Sequence, residues 1–310
     1  TLSPALFVDG YEPFRINGKM ADELKAERKQ MRDGVPLAAW ATRQPEVPRG
    51  HVVLVHGVAE HSGRYNHVRG GLRKAGYRVA GYDAREHGLS APDRPTGMVR
   101  SFATHVQDLA ELHAAQLAAA DGKPCFLLGH SMGALVTLQF LTQAPTGVAG
   151  AILTGLPLLP ARDVTGIAWV AARLLSQLIP RCPSVRLDSS LISRDPQQVQ
   201  QYDRDPLVYR GRLPVRSGVE LLAAARQLRA NPISIQAPLL VMHGSADAVA
   251  RVEGSRLLVE QLPASQVDYV EPEGLYHEIL NEPEGPEMLM QITAWLDRHA
   301  PESVRHADRP

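Results

Sequence analysis

Residues 125–133 read Cys-Phe-Leu-Leu-Gly-His-Ser-Met-Gly, and this stretch decides the fold. Cys125–Leu128 is a short, wholly apolar run of the kind that forms a strand covered on both faces. From Met132 to Gln143 the apolar spacing changes to that of a helix. Between them lies Gly129-His130-Ser131-Met132-Gly133, a G-x-S-x-G. In a strand–turn–helix setting this pattern holds a serine on a strained turn, where only glycines two places before and two after leave room. The helix N-terminus behind Ser131 would offer unpaired N–H groups and partial positive charge to a developing oxyanion. Ser131 is therefore the candidate nucleophile. The alternative is a tight turn whose serine merely satisfies the backbone.

The rest of the chain supplies the sheet this strand belongs to. Further apolar or β-branched runs occur at His51–Val55, Tyr77–Tyr82, Ala149–Thr154, Leu239–Met242 and Val267–Val270. They alternate with helical patterns at Phe102–Ala120, Glu253–Gln261 and Pro286–His299, the rhythm of βαβ units around a mostly parallel sheet with helices on both faces. One interval breaks that rhythm. Between Thr154 and Leu239 no strong strand appears, while Val164, Ile167, Ala171, Leu174 and Leu178 show helical spacing and several prolines follow. A structureless loop of that length is improbable in a compact domain, so the segment reads as an inserted helical cap. The helix Gly218–Arg229 then returns the chain to the sheet. The expected division is an N-terminal extension over 1–31, with a charged helical run at Met20–Arg32, then a core over 32–156 and a cap over 157–217. A second core segment over 218–300 and a tail over 301–310 complete it.

Composition limits the function. The 310 residues carry 33 basic and 33 acidic side chains, so no basic excess is available to neutralise nucleic-acid phosphates, and a nucleic-acid partner is not expected. Two cysteines, Cys125 and Cys182, cannot build a disulfide framework, which fits a cytoplasmic protein. No apolar run reaches the roughly 18–20 residues a spanning helix needs. The start lacks the charged-then-apolar pattern of a secretory signal, although beginning at Thr1 leaves prior processing open.

A serine hydroxyl needs a base, and the base needs an orienting acid. Leu239–Met242 runs into His243-Gly-Ser-Ala-Asp247, placing a carboxylate just past a strand end. Val267–Val270 runs into Glu271-Pro-Glu-Gly-Leu-Tyr-His277, placing an imidazole in the same way. Asp247 and His277 thus follow Ser131 in the order a nucleophile elbow requires. Asp83, Glu271 and Glu273 are the rival acids: the first lies too early in the chain, the others on the histidine's own loop. Of the 12 histidines, His56, His87, His130 and His243 read as strand-end residues bonding the backbone, and His105, His113 and His299 as helix-surface residues. The loop His56-Gly-Val-Ala-Glu60-His-Ser-Gly-Arg64-Tyr65 follows the first long strand. Its Val58 N–H and that of Met132 are the expected oxyanion donors, each of a kind worth about 2.7–4 kcal/mol to a transition state.

The runs HGVAEHSGRY, YDAREHGLS, GHSMGAL, LDSSLISRD…YDRDPLVY, HGSAD and YHE resemble those of the monoacylglycerol lipases of the α/β-hydrolase superfamily, from about Arg32 to about Trp295. The cap motif makes the likeness more specific than the triad alone. The resemblance implies the α/β-hydrolase fold with a lid, the triad Ser131, Asp247 and His277, and the two oxyanion positions. It implies further that Glu60 and Arg64 lie at the polar end of the pocket and that Tyr202 faces the alcohol; the structural alternative pairs Glu60 with Arg64 to hold the oxyanion loop. This chain departs from the family at Glu86, where R-G-H-G is usual, and at Leu280, where mammalian members carry a second histidine near the glycerol. Tyr209, Arg216 and Ala250 replace pocket cysteines, so thiol reagents are expected to spare activity.

The stripe around Ile167–Leu178 is expected to pack inward and line an acyl tunnel, since amphipathic helices more often join the core. Turned outward with Trp169, it would contact a membrane or micelle surface, as the family's lid does. No G-x-G-x-x-G, G-x-x-x-x-G-K-[ST], C-x-x-C or H-E-x-x-H occurs, and His51, His56 and His61 are wrongly spaced for one helical face, so no cofactor or metal is expected. The expected activity is hydrolysis of monoacylglycerols to fatty acid and glycerol. A broad carboxylesterase or lysophospholipase is the enzymatic alternative, and a non-catalytic small-molecule receptor the alternative from another class.

Overall fold

The computed structural model describes residues 15–16, 19–20, 24–43, 47–161 and 164–300. The tail 301–310 and most of the first 23 residues lie outside them. Eight strands make one sheet: β1 (Leu24–Gln30), β2 (Pro36–Thr42), β3 (Gly50–Val55), β4 (Tyr77–Tyr82), β5 (Cys125–His130), β6 (Val148–Thr154), β7 (Leu239–Met242) and β8 (Val267–Val270). Their spatial order is β8-β7-β6-β5-β3-β4-β2-β1. Pairing is parallel from β8 through to β4, and antiparallel where β2 meets β4 and β1.

The central strands are apolar throughout because both their faces are covered; every residue of β3 and β5 is buried. On one face lie α2 (Phe102–Ala119), α3 (Met132–Leu141), α6 (Val215–Ala230) and α7 (Val252–Gln261), joined to the sheet through Leu109, Leu135, Leu228 and Leu258. On the other lie α1 (Asn66–Lys74) and α8 (Gly285–His299), packed through Val68, Leu72, Ile292 and Trp295. This is the α/β-hydrolase arrangement, and it brings the carboxyl ends of the parallel strands to one rim.

Two sequence expectations change here. The Met20–Arg32 run is not helical: Leu24–Gln30 pairs antiparallel with Pro36–Thr42 as the sheet's edge strand. A solvent-facing edge takes charged residues readily, so LKAERKQ carries no apolar strand signal. His105 and His113 are buried in α2 rather than at its surface.

Between β6 and β7 the chain forms α4 (Gly166–Leu178), a two-stranded ribbon of Pro183–Arg186 and Arg212–Pro214, and α5 (Pro196–Arg204), before α6 returns it to the sheet. The α4 stripe faces outward, contrary to the inward expectation. Ile167 is 89% exposed and Leu178 79%, with Val170 and Leu174 also exposed. The opposite side of α4 meets α6, where Ser176 is buried and the Arg226 guanidinium lies 3.9 Å from the Trp169 ring centroid. Helical spacing identifies a stripe; what covers it depends on α6, which the spacing does not encode.

Candidate active site

Ser131 sits at φ 52°, ψ −119°, between β5 and α3. A non-glycine residue holds that conformation only where its surroundings impose it. Its N–H donates to Thr154 O at 2.9 Å, while its carbonyl accepts from Ala134 and Leu135 of the helix. The flanking glycines are sterically required: a Cβ on Gly133 would stand 2.1 Å from Val55 O, and one on Gly129 2.5 Å from Gly133 O.

His277 and Asp247 arrive from the loops after β8 and β7. His277 Nε2 is 2.9 Å from Ser131 Oγ, and His277 Nδ1 is 2.6 Å from Asp247 Oδ2. The other Asp247 oxygen accepts the Val249 and Ala250 N–H groups at 2.8 and 2.9 Å. Burial opposes charge on Asp247, yet His277 and His243 hold its carboxyl well below the usual range. Burial likewise opposes charge on His277, but the Asp247 carboxylate outweighs it and raises the imidazole above its ordinary value. Next to it, burial lowers His130 to about 4, so that ring is a neutral neighbour. Two of the rival acids are engaged elsewhere, Asp83 accepting from Ser62 and Leu89 and Glu271 pairing with Arg256, and Glu273 is exposed.

The loop after β3 is braced by Glu60. Its carboxylate accepts the Gly57 N–H at 2.6 Å, the Tyr65 hydroxyl at 2.7 Å and Arg64 Nη1 at 2.6 Å. Burial disfavours its charge, but Arg64 holds its pKa down to about 2. Arg64 also forks onto Glu278 at 2.5 and 2.7 Å and stacks 4.7 Å from the Tyr202 ring centroid. Neither the Val58 nor the Met132 N–H meets an acceptor among the described residues, which leaves both donors open.

One narrow cavity, about 40 Å³, is lined by Ser131, His277, Val58, Glu60 and Tyr202, with Leu187, Asp188, Ile192, Val249 and Glu278 among the others. Arg64 lies behind its wall. Leu280 is not in the lining; it belongs to the apolar cluster with Met288, Ile292 and Trp295, and its carbonyl receives His67 Nε2 at 2.9 Å. Neither Cys125 nor Cys182 lines the cavity. At the departure Arg85-Glu86-His87-Gly88, Glu86 itself adopts φ 62°, the conformation a glycine would take, and is tied by its side chain to Thr96 and Arg100.

Two contributors escaped sequence reading. Glu278 follows His277 directly, but its partner Arg64 is distant in the chain, and only the fold joins them. His243 bonds the Ala250 carbonyl as expected of a strand-end histidine, and it also reaches Asp247. Among the described residues no group of His, Cys, Asp or Glu could hold a metal ion, and no helix is long and apolar enough to cross a membrane.

The arrangement matches known proteins over most of its length. The family model described as serine aminopeptidase, S33, covers residues 46–284. A monoacylglycerol lipase from Mycolicibacterium smegmatis is 37% identical over 255 residues, 81% of this chain and 89% of that one. A rat monoglyceride lipase is 33% identical over 85% of this chain and 88% of its own. The crystal structure of a Paleococcus ferrophilus monoacylglycerol lipase superposes with a TM-score of 0.74 at 31% identity, covering 85% of this chain and 99% of the other.

Proposed function

The chain belongs to the serine aminopeptidase S33 family of α/β-hydrolases, and from this premise we propose that it hydrolyses carboxylic esters of monoacylglycerol type through an acyl-enzyme on Ser131. The observation that carries the reading is the unbroken relay from Ser131 Oγ through His277 to Asp247, with the serine held on a left-handed elbow. Ser131 Oγ attacks the ester carbonyl while His277 Nε2 takes its proton. Asp247 keeps the other ring proton on Nδ1 and stabilises the imidazolium. The Val58 and Met132 N–H groups receive the oxyanion. The tetrahedral intermediate expels the alcohol with the proton from His277, and water repeats the sequence to release the fatty acid.

The substrate class is supported by the names of the similar proteins and by a cavity that combines apolar Leu187, Ile192 and Val249 with polar Glu60, Tyr202 and Glu278. In this reading residues 157–217 act as a cap. The outward aliphatic stripe of α4 supports peripheral contact with a membrane or micelle from which the substrate is drawn, by a protein placed in the cytoplasm.

The test is steady-state hydrolysis of monoacylglycerols from C8 to C18 beside p-nitrophenyl esters and lysophospholipids, for wild type and Ser131→Ala. Preference for monoacylglycerols, lost in the variant, is the expected result. Fast turnover of short p-nitrophenyl esters with weak glyceride activity would instead make the protein a general carboxylesterase.

A further inference from the structure

The polar side of the catalytic cavity is walled by acids. Glu60 and Glu278, both buried, line it together with exposed Asp188. The Arg64 guanidinium that offsets them bridges the two glutamates without itself joining the lining, and no arginine or lysine lines the cavity among the described residues. Two buried carboxylates against one guanidinium leave one net negative charge beside the nucleophile. At the rim, hydrogen bonds from Ser190 and, less strongly, the Arg186 charge hold the Asp188 carboxyl below its ordinary range.

The chemistry fixes which part of a substrate meets this wall. Leu187, Ile192 and Val249 suit an acyl chain, and the alcohol oxygen must reach His277 Nε2 to collect its proton. That leaves the Glu60–Glu278 side for the rest of the alcohol. We propose that this acidic wall selects the leaving alcohol by charge: esters of uncharged alcohols are accepted, and esters whose alcohol bears a phosphate are turned away. The proposal rests on the ester-hydrolase reading and narrows its substrate class toward neutral glycerides.

The experiment uses p-nitrophenyl butyrate turnover as a reporter. It measures inhibition by two non-hydrolysable ethers, 1-O-dodecylglycerol and its 3-phosphate, both below their micelle-forming concentrations. The phosphate should bind about a hundredfold more weakly, the scale expected of like charges several ångströms apart at an effective dielectric of about 20. Glu278→Gln and Asp188→Asn should each narrow that ratio several-fold. A ratio between two inhibitors is insensitive to a general loss of activity, and Asp188 is exposed enough to be replaced should Glu278→Gln fail to fold. Equal inhibition by the two ethers would overturn the proposal, as would a ratio unmoved in the variants that fold. No reporter turnover by wild type would overturn the hydrolase reading, and the proposal with it.

Discussion

His243 Nε2 stands 3.0 Å from Asp247 Oδ2, the same carboxylate oxygen that receives His277 Nδ1 at 2.6 Å. The other neighbour of His243 Nε2 is the Ala250 carbonyl, also an acceptor, so this nitrogen carries a proton directed at them, while Nδ1 lies 2.7 Å from the Ser255 hydroxyl. His243 is therefore a positioning residue: it fixes the acid that fixes the base. Replacing it with alanine removes one hydrogen bond to a charged group, and kcat should fall about tenfold with little change in KM. Asp247, with one donor fewer, becomes a stronger partner for His277, so the acidic limb of the pH–rate profile should move upward. An unmoved limb would reduce His243 to a packing role.

The activity of the wild type should follow the protonation of His277. Only the neutral imidazole accepts the proton of Ser131 Oγ, and Asp247 raises its pKa above the ordinary 6.5 despite burial. The kcat/KM profile for an uncharged ester should thus lose activity as pH falls, with its midpoint above 6.5. A midpoint well below that value would contradict the Asp247–His277 coupling.

Stability should show the opposite kind of histidine. Burial lowers His87 to about 4 and His105 to about 3, and it lowers His56 as well. A histidine with a depressed native pKa is protonated first in the unfolded chain, so the unfolded state binds more protons as pH drops below 6.5. Unfolding free energy should therefore fall with acidification from about pH 6.5 toward 4, by up to about 1.4 kcal/mol per pH unit for each such group. Urea titrations at pH 7.5, 6 and 5 measure the slope. His105→Gln, which removes one of these protons, should make it shallower.

Two glycines give opposite responses to the same methyl group. Gly133→Ala places a Cβ 2.1 Å from Val55 O and should abolish both the elbow and recoverable folded protein. Gly70, inside α1, has nothing within 4 Å of its Cβ position, and Gly70→Ala should stabilise by about 0.5–1 kcal/mol. The soluble folded yield of Gly133→Ala and the thermal unfolding of Gly70→Ala check the two signs.

These contrasts parallel what the sequence could and could not disclose. Strands β3 to β7 were legible because burial on both faces writes itself as largely apolar runs, and the edge strand β8, only partly buried, because of its β-branched and aromatic residues. The candidate triad was legible because Ser131, Asp247 and His277 each follow a strand run, and the fold brings the three within hydrogen-bond distance. The antiparallel edge was not: in Leu24–Gln30 Glu27 and Arg28 are exposed, and the charged run resembles a polar helix as much as a strand. Periodicity located the stripe of α4 but not its orientation, which is set by Trp169 and Ser176 meeting α6. The candidates at the alcohol end divide in the same way. Glu60 and Tyr202 line the cavity, Arg64 braces it from behind, and Leu280 lies in the core, because the short helical turn after His277 carries that residue toward α8.

The central claim is that Ser131 alone forms the covalent intermediate. Incubation with a fluorophosphonate, followed by intact-mass and peptide mass spectrometry, tests it without assuming any natural substrate. One adduct per chain is expected, on Ser131, with loss of ester hydrolysis in step with labelling and no adduct in folded Ser131→Ala. Labelling at another residue, or full hydrolytic activity in the Ser131→Ala variant, would contradict the account.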